Sequence, residues 1–99
     1  MFVYKLGDFK VLSDLELKAN KEFLRLYNNE IELFLYYPKR VFFKVEDSYG
    51  ITNLENTVQF KETISTWDKN YTLKYKEKTQ TFEIKVKEKE NHIPPKCRL

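Results

Sequence analysis

The sequence predicts an α+β fold in which one helix packs on a mostly antiparallel sheet of roughly five to seven strands built from hairpins. Three features predict it: a tight-turn signal near the N-terminus, one well-marked helix start, and a dominance of β-branched and aromatic residues from residue 30 onward. The chain has 99 residues, of which 41% are hydrophobic and 16% aromatic, as is typical of a folded domain. We expect a single domain over residues 1–90 and an extended C-terminal tail over residues 91–99.

The N-terminal residues carry a hairpin signal. Residues 3–6 and 9–12 are short, largely apolar segments separated by Gly7 and Asp8. Glycine tolerates the positive φ that a two-residue hairpin turn requires. The pattern therefore predicts two antiparallel strands that meet at this turn.

The following segment predicts a helix over about residues 14–28. Ser13 and Glu16 have the spacing of a capping box, and Leu12 and Leu17 have the spacing of a hydrophobic staple. The two asparagines at residues 28–29 can adopt left-handed geometry and would end the helix. The residues that recur at helical spacing, and that should face the core, are Leu15, Ala19, Phe23 and Leu26 or Tyr27.

Residues 31–37 and 41–46 predict a hairpin that is apolar on both faces. Alternation places Phe34, Tyr36 and Phe42 on one face of it. The helix packing over these rings would make them part of the core. If the helix covers the other face, they form a dimer or partner surface, since aromatic residues are enriched at binding hot spots. A continuation of the helix through Tyr36 is the competing interpretation of this segment.

The rest of the chain predicts a loop over residues 47–56, a strand over 57–65 and a last hairpin formed by 71–78 and 82–89. Val58, Phe60 and Ile64 should point inward from the strand. Trp67 falls in the turn that follows, where it is one further candidate for a partner contact.

A lysine-rich face on the last hairpin is the clearest charge pattern. Residues 71–99 carry eight basic and four acidic groups, whereas residues 41–70 carry three and five. Such a face could contact the phosphates of a nucleic acid, or it could be a solvated surface that prevents aggregation of the sheet. The lysines that alternation gathers there, with Glu83 as the only acid, are Lys74, Lys76, Lys78, Lys85, Lys87 and Lys89.

The side chains that most catalytic and metal sites need are scarce. His92 is the only histidine and Cys97 the only cysteine, and both lie in the predicted tail. This pair cannot form a tetrahedral zinc site, and a Pro-containing tail does not hold a thiolate and its base in register. Two carboxylates could still act as acid and base, but no pair stands out. We therefore predict a non-enzymatic protein without catalytic residues, metal or cofactor, and also without a disulfide, a signal peptide or a membrane span.

Three segments carry a resemblance: the opening MFVYKLGDFKVL, the stretch NNEIELFLYYPKRVFF and the tail NHIPPKCRL. Over its whole length the chain resembles a small protein of the Acidianus filamentous virus group, whose members infect hyperthermophilic archaea. The resemblance implies a heat-tolerant viral protein of the host cytoplasm or the virion, and it supplies no site residue.

Together these observations predict an accessory protein that binds a host or viral protein without catalysis. Binding of nucleic acid through the lysine-rich face is the main alternative, and a structural role in the virion is a second alternative. A homodimer that buries Phe34, Tyr36 and Phe42 would also explain the aromatic cluster.

Overall fold

The computed structural model describes residues 1–36, 39–55 and 57–89, and these residues form two five-stranded sheets without any helix. The predicted α+β class, with one helix on a single sheet, is therefore wrong. In chain order the strands are β1 (Phe2–Leu6), β2 (Phe9–Ser13), β3 (Lys18–Asn20), β4 (Arg25–Tyr27), β5 (Ile31–Tyr36), β6 (Arg40–Val45), β7 (Ser48–Asn53), β8 (Gln59–Ser65), β9 (Lys69–Lys76) and β10 (Thr81–Glu88).

The first two and the last three strands form one sheet, which we call sheet I, and the five strands between them form sheet II. Sheet II is an antiparallel meander with the order β3-β4-β5-β6-β7. Sheet I has the order β1-β2-β10-β9-β8, and its strands β2 and β10 pair in parallel. The last strand therefore lies beside the N-terminal hairpin. Each sheet has two edge strands that pair on one side only, which are β1 and β8 in sheet I and β3 and β7 in sheet II.

One core lies between the inner faces of the two sheets. The ring centroid of Phe43 in sheet II lies 6.2 Å from that of Phe60 in sheet I. Phe82 continues the aromatic layer, with its ring 6.2 Å from Phe60 and 6.1 Å from Tyr75. Each fully buried large side chain contributes about 1.5–3 kcal/mol through removal of apolar area from water. The other buried apolar residues are Leu6, Phe9, Val11, Leu17, Leu26, Ile31, Leu33, Val41, Val45, Leu54, Ile64, Tyr71, Leu73 and Ile84.

The predicted helix over residues 14–28 is replaced by β3, β4 and the turns around them. Ser13 is fully buried, and its hydroxyl accepts from the N–H of Leu15 at 2.9 Å and donates to the carbonyl of Leu15 at 2.7 Å. Asn20 accepts from the N–H groups of Glu22 and Phe23 through its side-chain oxygen. Such local bonds compete with helical backbone bonds and favour turns, so the same polar side chains that resemble caps bend the chain instead.

The burial of this segment follows alternation rather than helical spacing. Leu17 and Leu26 are buried, and Leu15 packs against the core. Ala19 and Phe23, which a helix would turn inward, are exposed, and Phe23 retains 57% of its surface. The expectation that these two side chains belong to the core is therefore wrong.

In the rest of the chain the predictions of hairpins are confirmed, whereas the prediction of one loop and the predicted orientation of one side chain are wrong. Hairpins β1-β2, β5-β6 and β9-β10 occur in the segments where the sequence predicts them, and Gly7 has the expected positive φ of 62°. The predicted loop over residues 47–56 contains β7, and Val58 is 71% exposed rather than inward. The predicted tail over residues 91–99, with His92 and Cys97, lies outside the described residues.

A glycine at position 80 should stabilise the protein. Gln80 has a φ of +49° in the exposed turn before β10, a conformation that costs a non-glycine residue about 1–2 kcal/mol. Because glycine adopts it freely but loses more chain entropy on folding, we expect Gln80→Gly to raise the free energy of unfolding by about 0.5–1 kcal/mol in urea titrations. Thr79→Gly is the matched control and should lower it, and a loss of stability in Gln80→Gly would contradict the turn geometry.

Candidate binding faces

The outer face of sheet II is a contiguous surface of aromatic rings that no described element covers. Alternation from the buried positions places these side chains outward on four neighbouring strands. We call this surface the aromatic face. Its apolar members are Tyr27, Phe34, Tyr36, Phe42, Tyr49 and Ile51.

The rings of the aromatic face contact one another across and along the strands. The centroids of Phe34 and Tyr36 are 5.7 Å apart, and those of Phe42 and Tyr49 are 6.2 Å apart. Strand register aligns Phe34, Phe42 and Ile51 in one row across β5, β6 and β7. Tyr49 and Ile51 at the edge are 73% and 61% exposed. A patch of this kind on a sheet surface is typical of an interaction site.

Basic side chains surround these rings. Arg25 donates to Glu32 at 2.6 Å, and its guanidinium lies 4.0 Å from the ring centroid of Tyr27. The hydrogen bond that Arg25 donates to Glu32 raises the pKa of the Arg25 guanidinium. Arg40 lies opposite Tyr36 in the register and is exposed. With Lys18 and Lys44 on the same face, the aromatic face is basic, and Glu32 is its one acid among the described residues.

The three aromatic interface candidates predicted on the middle hairpin therefore lie together, on a face that the structure leaves open. Trp67 is 81% exposed, but it lies in the turn between β8 and β9 of sheet I and is not part of the aromatic face. Sequence reasoning missed Tyr27 and Arg25 because their segment resembled a helix. It missed Tyr49 because β7 resembled a loop, although the run of residues 48–53 contains β-branched and aromatic residues.

The outer face of sheet I carries lysines on all five of its strands, and we call it the lysine face. Four of the six predicted lysines lie on it, whereas Lys78 falls in the turn after β9 and Lys89 follows β10, where its ammonium group donates to the Thr66 carbonyl. Neighbouring strands add three lysines that the hairpin alone could not reveal. Its lysines, with Glu83 as the one acid among the described residues, are Lys5, Lys10, Lys61, Lys74, Lys76, Lys85 and Lys87.

A shallow depression of about 340 Å³ lies within the lysine face. Three lysines line it, together with two threonines, one leucine and one acid: Lys10, Lys74, Lys76, Thr79, Thr81, Leu12 and Glu83. Ammonium groups and hydroxyls can bind the oxygens of phosphate groups, and the three lysines outnumber the one acid of this lining. The described part of the lysine face has no arginine and no aromatic ring, so it can hold charge but cannot stack bases or bind phosphate in a bidentate manner.

A polar cluster joins the two sheets at one end of the core. The buried Tyr71 hydroxyl lies 3.0 Å from a carboxylate oxygen of Glu46 and 3.3 Å from one of Glu30, to which Lys69 donates at 2.6 Å. Burial raises the pKa of Tyr71 far above its ordinary value, and the two carboxylates add to the shift. The hydrogen bond that Lys69 donates to Glu30 raises the pKa of Lys69. Every member has a partner within the cluster, so the arrangement serves to hold sheet I to sheet II.

This cluster should make the protein sensitive to alkali. A group whose pKa is higher in the folded than in the unfolded chain stabilises the folded state. This stabilisation is complete below the pKa of the unfolded chain, about 10 for tyrosine, and is lost as the pH rises towards the pKa of the folded chain. Tyr71 should therefore lower the free energy of unfolding by up to about 1.4 kcal/mol per pH unit above pH 10. Burial also raises the pKa of Tyr75, and the pKa of Lys69 is raised as well. Both groups should therefore also lower the free energy of unfolding as the pH rises.

Tyr71→Phe is the test of this pH dependence. It removes the hydrogen bonds to two carboxylates and should cost about 1–3 kcal/mol at neutral pH, with a smaller difference from the native chain at about pH 11.5. Denaturant titrations at the two pH values would measure both quantities. Tyr49→Phe removes an exposed phenol and is the control. A difference that does not shrink in alkali would contradict the proposed coupling of Tyr71 to Glu30 and Glu46.

Comparison with known proteins adds no relative: the chain matches no protein family, no curated protein sequence and no solved structure. Within the described ranges, no group of three or more histidine, cysteine or acidic side chains is arranged to hold a metal ion. A search of the same residues finds no helix with the length and apolarity to cross a membrane.

Proposed function

We propose that this protein acts by binding without catalysis, and that the aromatic face of sheet II docks an acidic surface of a partner protein. The observation that supports the proposal is the segregation of side chains between the two outer faces. Both arginines of the described residues, Arg25 and Arg40, lie with the exposed aromatic rings of sheet II, whereas sheet I presents lysines. Tyrosine, phenylalanine and arginine are enriched at protein interfaces, and lysine is depleted.

The geometry of the aromatic face favours a stable contact over a transient one. Arg25 is already held by Glu32 and by the ring of Tyr27, so it loses little side-chain freedom when a partner binds. The rings lie on strands rather than on loops, which fixes their spacing. The exposed cations Arg40 and Lys44 lie beside them, and a partner that presents carboxylates would complement this charge.

The resemblance to filamentous viruses of hyperthermophilic archaea supports a partner among host or viral proteins. Under this proposal the protein acts in the host cytoplasm or in the virion. The sandwich supplies two faces for display, and the packed core and the hydrogen bonds of Tyr71 and Lys69 hold its two sheets together.

Site-specific photo-crosslinking tests the proposal. A benzophenone side chain in place of Phe42 on the aromatic face should crosslink a protein from host lysate, and the crosslink should survive nuclease. The same group in place of Thr72, on the lysine face, is the matched control and should not crosslink that protein. Arg40→Glu should reduce crosslinking from position 42, since it reverses the charge that attracts the partner. Equal crosslinking from positions 42 and 72 would contradict the proposal.

The lysine face supports a second candidate function, sequence-independent binding of nucleic acid. Its seven lysines against one glutamate extend over all five strands of sheet I, and the depression near Lys10 and Lys74 could hold phosphate groups. If about six lysines contact phosphates, affinity for duplex DNA should fall by roughly 10³-fold or more between 50 and 200 mM salt. Filter binding at the two concentrations measures this fall, and an absent or flat response would eliminate the candidate.

A further inference from the structure

The four edge strands of the sandwich differ in how they are protected. An edge strand exposes unpaired N–H and C=O groups, and proteins usually prevent unwanted pairing there with lysine, inward-pointing charges or very short strands. β3 has three residues including Lys18, and β1 contains Lys5. β8 contains Lys61, and by alternation Glu62 points towards the inner side. These three edges carry the usual protection.

Edge strand β7 has none of these protective features. Its six residues, Ser48 to Asn53, include no charged residue and no proline, and its outward side chains Tyr49 and Ile51 are large and exposed. It pairs only with β6, and no other described strand lies along its open side. An uncharged strand of this length with apolar side chains is a ready template for another strand.

The backbone of β7 also presents its bonding groups in an ordered row. Leu54 donates its N–H to the carbonyl of Lys39, and this bond shows which opposed residues of β6 and β7 form the hydrogen-bonded pairs. Since hydrogen-bonded and non-bonded pairs alternate in an antiparallel ladder, the N–H and C=O groups of Tyr49, Ile51 and Asn53 point away from β6. The N–H and C=O groups of Tyr49 and Ile51 and the N–H of Asn53 are available to a further strand, whereas the C=O of Asn53 already accepts from the Thr57 hydroxyl at 2.8 Å.

The inner side of β7 leaves space beside this row. Ser48, Gly50 and Thr52 are small, and a groove of about 470 Å³ separates β7 from β8. Gly50 is required there because a Cβ at this position would lie 2.7 Å from the ring of Phe43. The small inner row keeps this groove open between β7 and β8.

We infer that β7 pairs antiparallel with β7 of a second copy of this chain, joining two sandwiches into a two-fold dimer with a continuous ten-stranded sheet II. A strand without charge can pair with itself without repulsion, whereas self-pairing of β1, β3 or β8 would bring lysines of the two copies together. A register centred on Ile51 brings the outward groups of the two copies together, because Ile51 then faces its own copy and Tyr49 faces Asn53 of the partner.

The dimer extends the aromatic face and leaves it open. Pairing edge to edge keeps the outer face of sheet II exposed in both copies, so the rings of Phe42 and Tyr49 continue across the seam. This interface differs from a dimer that would bury Phe34, Tyr36 and Phe42, in which the two faces would cover each other. Dimerisation through β7 is independent of the partner that the aromatic face binds.

Sedimentation of the full chain with one backbone variant tests the dimer. Ile51→Pro removes an N–H that points away from β6, so it blocks a second strand and leaves the β6-β7 ladder intact. The native chain should sediment at twice its 12.1 kDa at about 50 μM, and Ile51→Pro should sediment as a monomer, with a dissociation constant at least about 100-fold higher. Ile51→Thr preserves an uncharged strand and should remain dimeric.

Two further measurements separate this interface from others. Val3→Lys adds a lysine to edge strand β1 and should leave the dimer intact, whereas Ile51→Lys should dissociate it. Hydrogen exchange should show the amides of Tyr49, Ile51 and Asn53 protected only in the dimer. A native chain that stays monomeric at this concentration, or a dimer that persists in Ile51→Pro, would overturn the inference. Neither result would bear on binding by the aromatic face.

Discussion

Replacing Phe82 by alanine should lower the free energy of unfolding by about 3–5 kcal/mol, the largest stability effect we expect from a single substitution. Phe82 is 2% exposed, and its ring packs between those of Phe60 and Tyr75. It lies on β10, which joins the N-terminal hairpin to the rest of sheet I. The cavity left by the ring would therefore weaken the contact between the first and last parts of the chain. Urea titration of the native chain and the variant measures the loss.

Phe23→Ala is the matched control for this prediction. A helix over residues 14–28 would bury Phe23, and its removal would then cost as much as that of Phe82. The sandwich leaves Phe23 57% exposed in the turn between β3 and β4, so we expect a change within about 0.5 kcal/mol. Equal losses in the two variants would contradict the all-β arrangement of this segment.

Replacing Phe42 by alanine should weaken binding of the partner protein by about 30-fold or more, equivalent to roughly 2 kcal/mol. Phe42 lies in the middle of the aromatic face, flanked in the register by Phe34 and Ile51 and in ring contact with Tyr49. Residues at the centre of an interface are the most completely desolvated, so truncation there has the largest effect. Titration of the purified partner by calorimetry would measure the dissociation constant.

Lys85→Ala is the control, because Lys85 lies on the lysine face of the opposite sheet. We expect it to leave affinity for the partner protein within about two-fold of the native value. Unfolding measurements on Phe42→Ala should accompany the titration and show that the variant remains folded. Loss of affinity in Lys85→Ala with none in Phe42→Ala would place the partner on sheet I and contradict our assignment.

The parts of the fold that the sequence predicts are those with local turn chemistry. Gly7 and Asp8 predict the first hairpin because a two-residue turn depends on the residues within it. The signals around Ser13 were ambiguous, since a serine that caps a helix and one that bonds Leu15 in a turn have the same surroundings in sequence. The apolar series Leu15, Leu17 and Ala19 is also spaced as in a strand, and only packing between distant segments decides such a case.

The candidate faces were predicted in part for the same reason. Phe34, Tyr36 and Phe42 lie within one hairpin, so alternation alone places them together. The contributions of Arg25 and Tyr49 depend on pairing between β4 and β5 and between β6 and β7, and strands β4 and β7 were not predicted. The parallel pairing of β2 with β10, which adds Lys10 to the lysine face, joins residues from opposite ends of the chain and leaves no local signal.

We propose that the rings on the outer face of sheet II are open in the free protein and become covered when the partner binds. Hydroxyl-radical footprinting of the free protein and of the complex tests it directly, with exposed Trp67 in the turn of sheet I as the internal reference. We predict that Phe34, Phe42 and Tyr49 are oxidised in the free protein and protected in the complex, whereas Trp67 stays reactive in both. Oxidation of these three rings that is unchanged by the partner would contradict the claim.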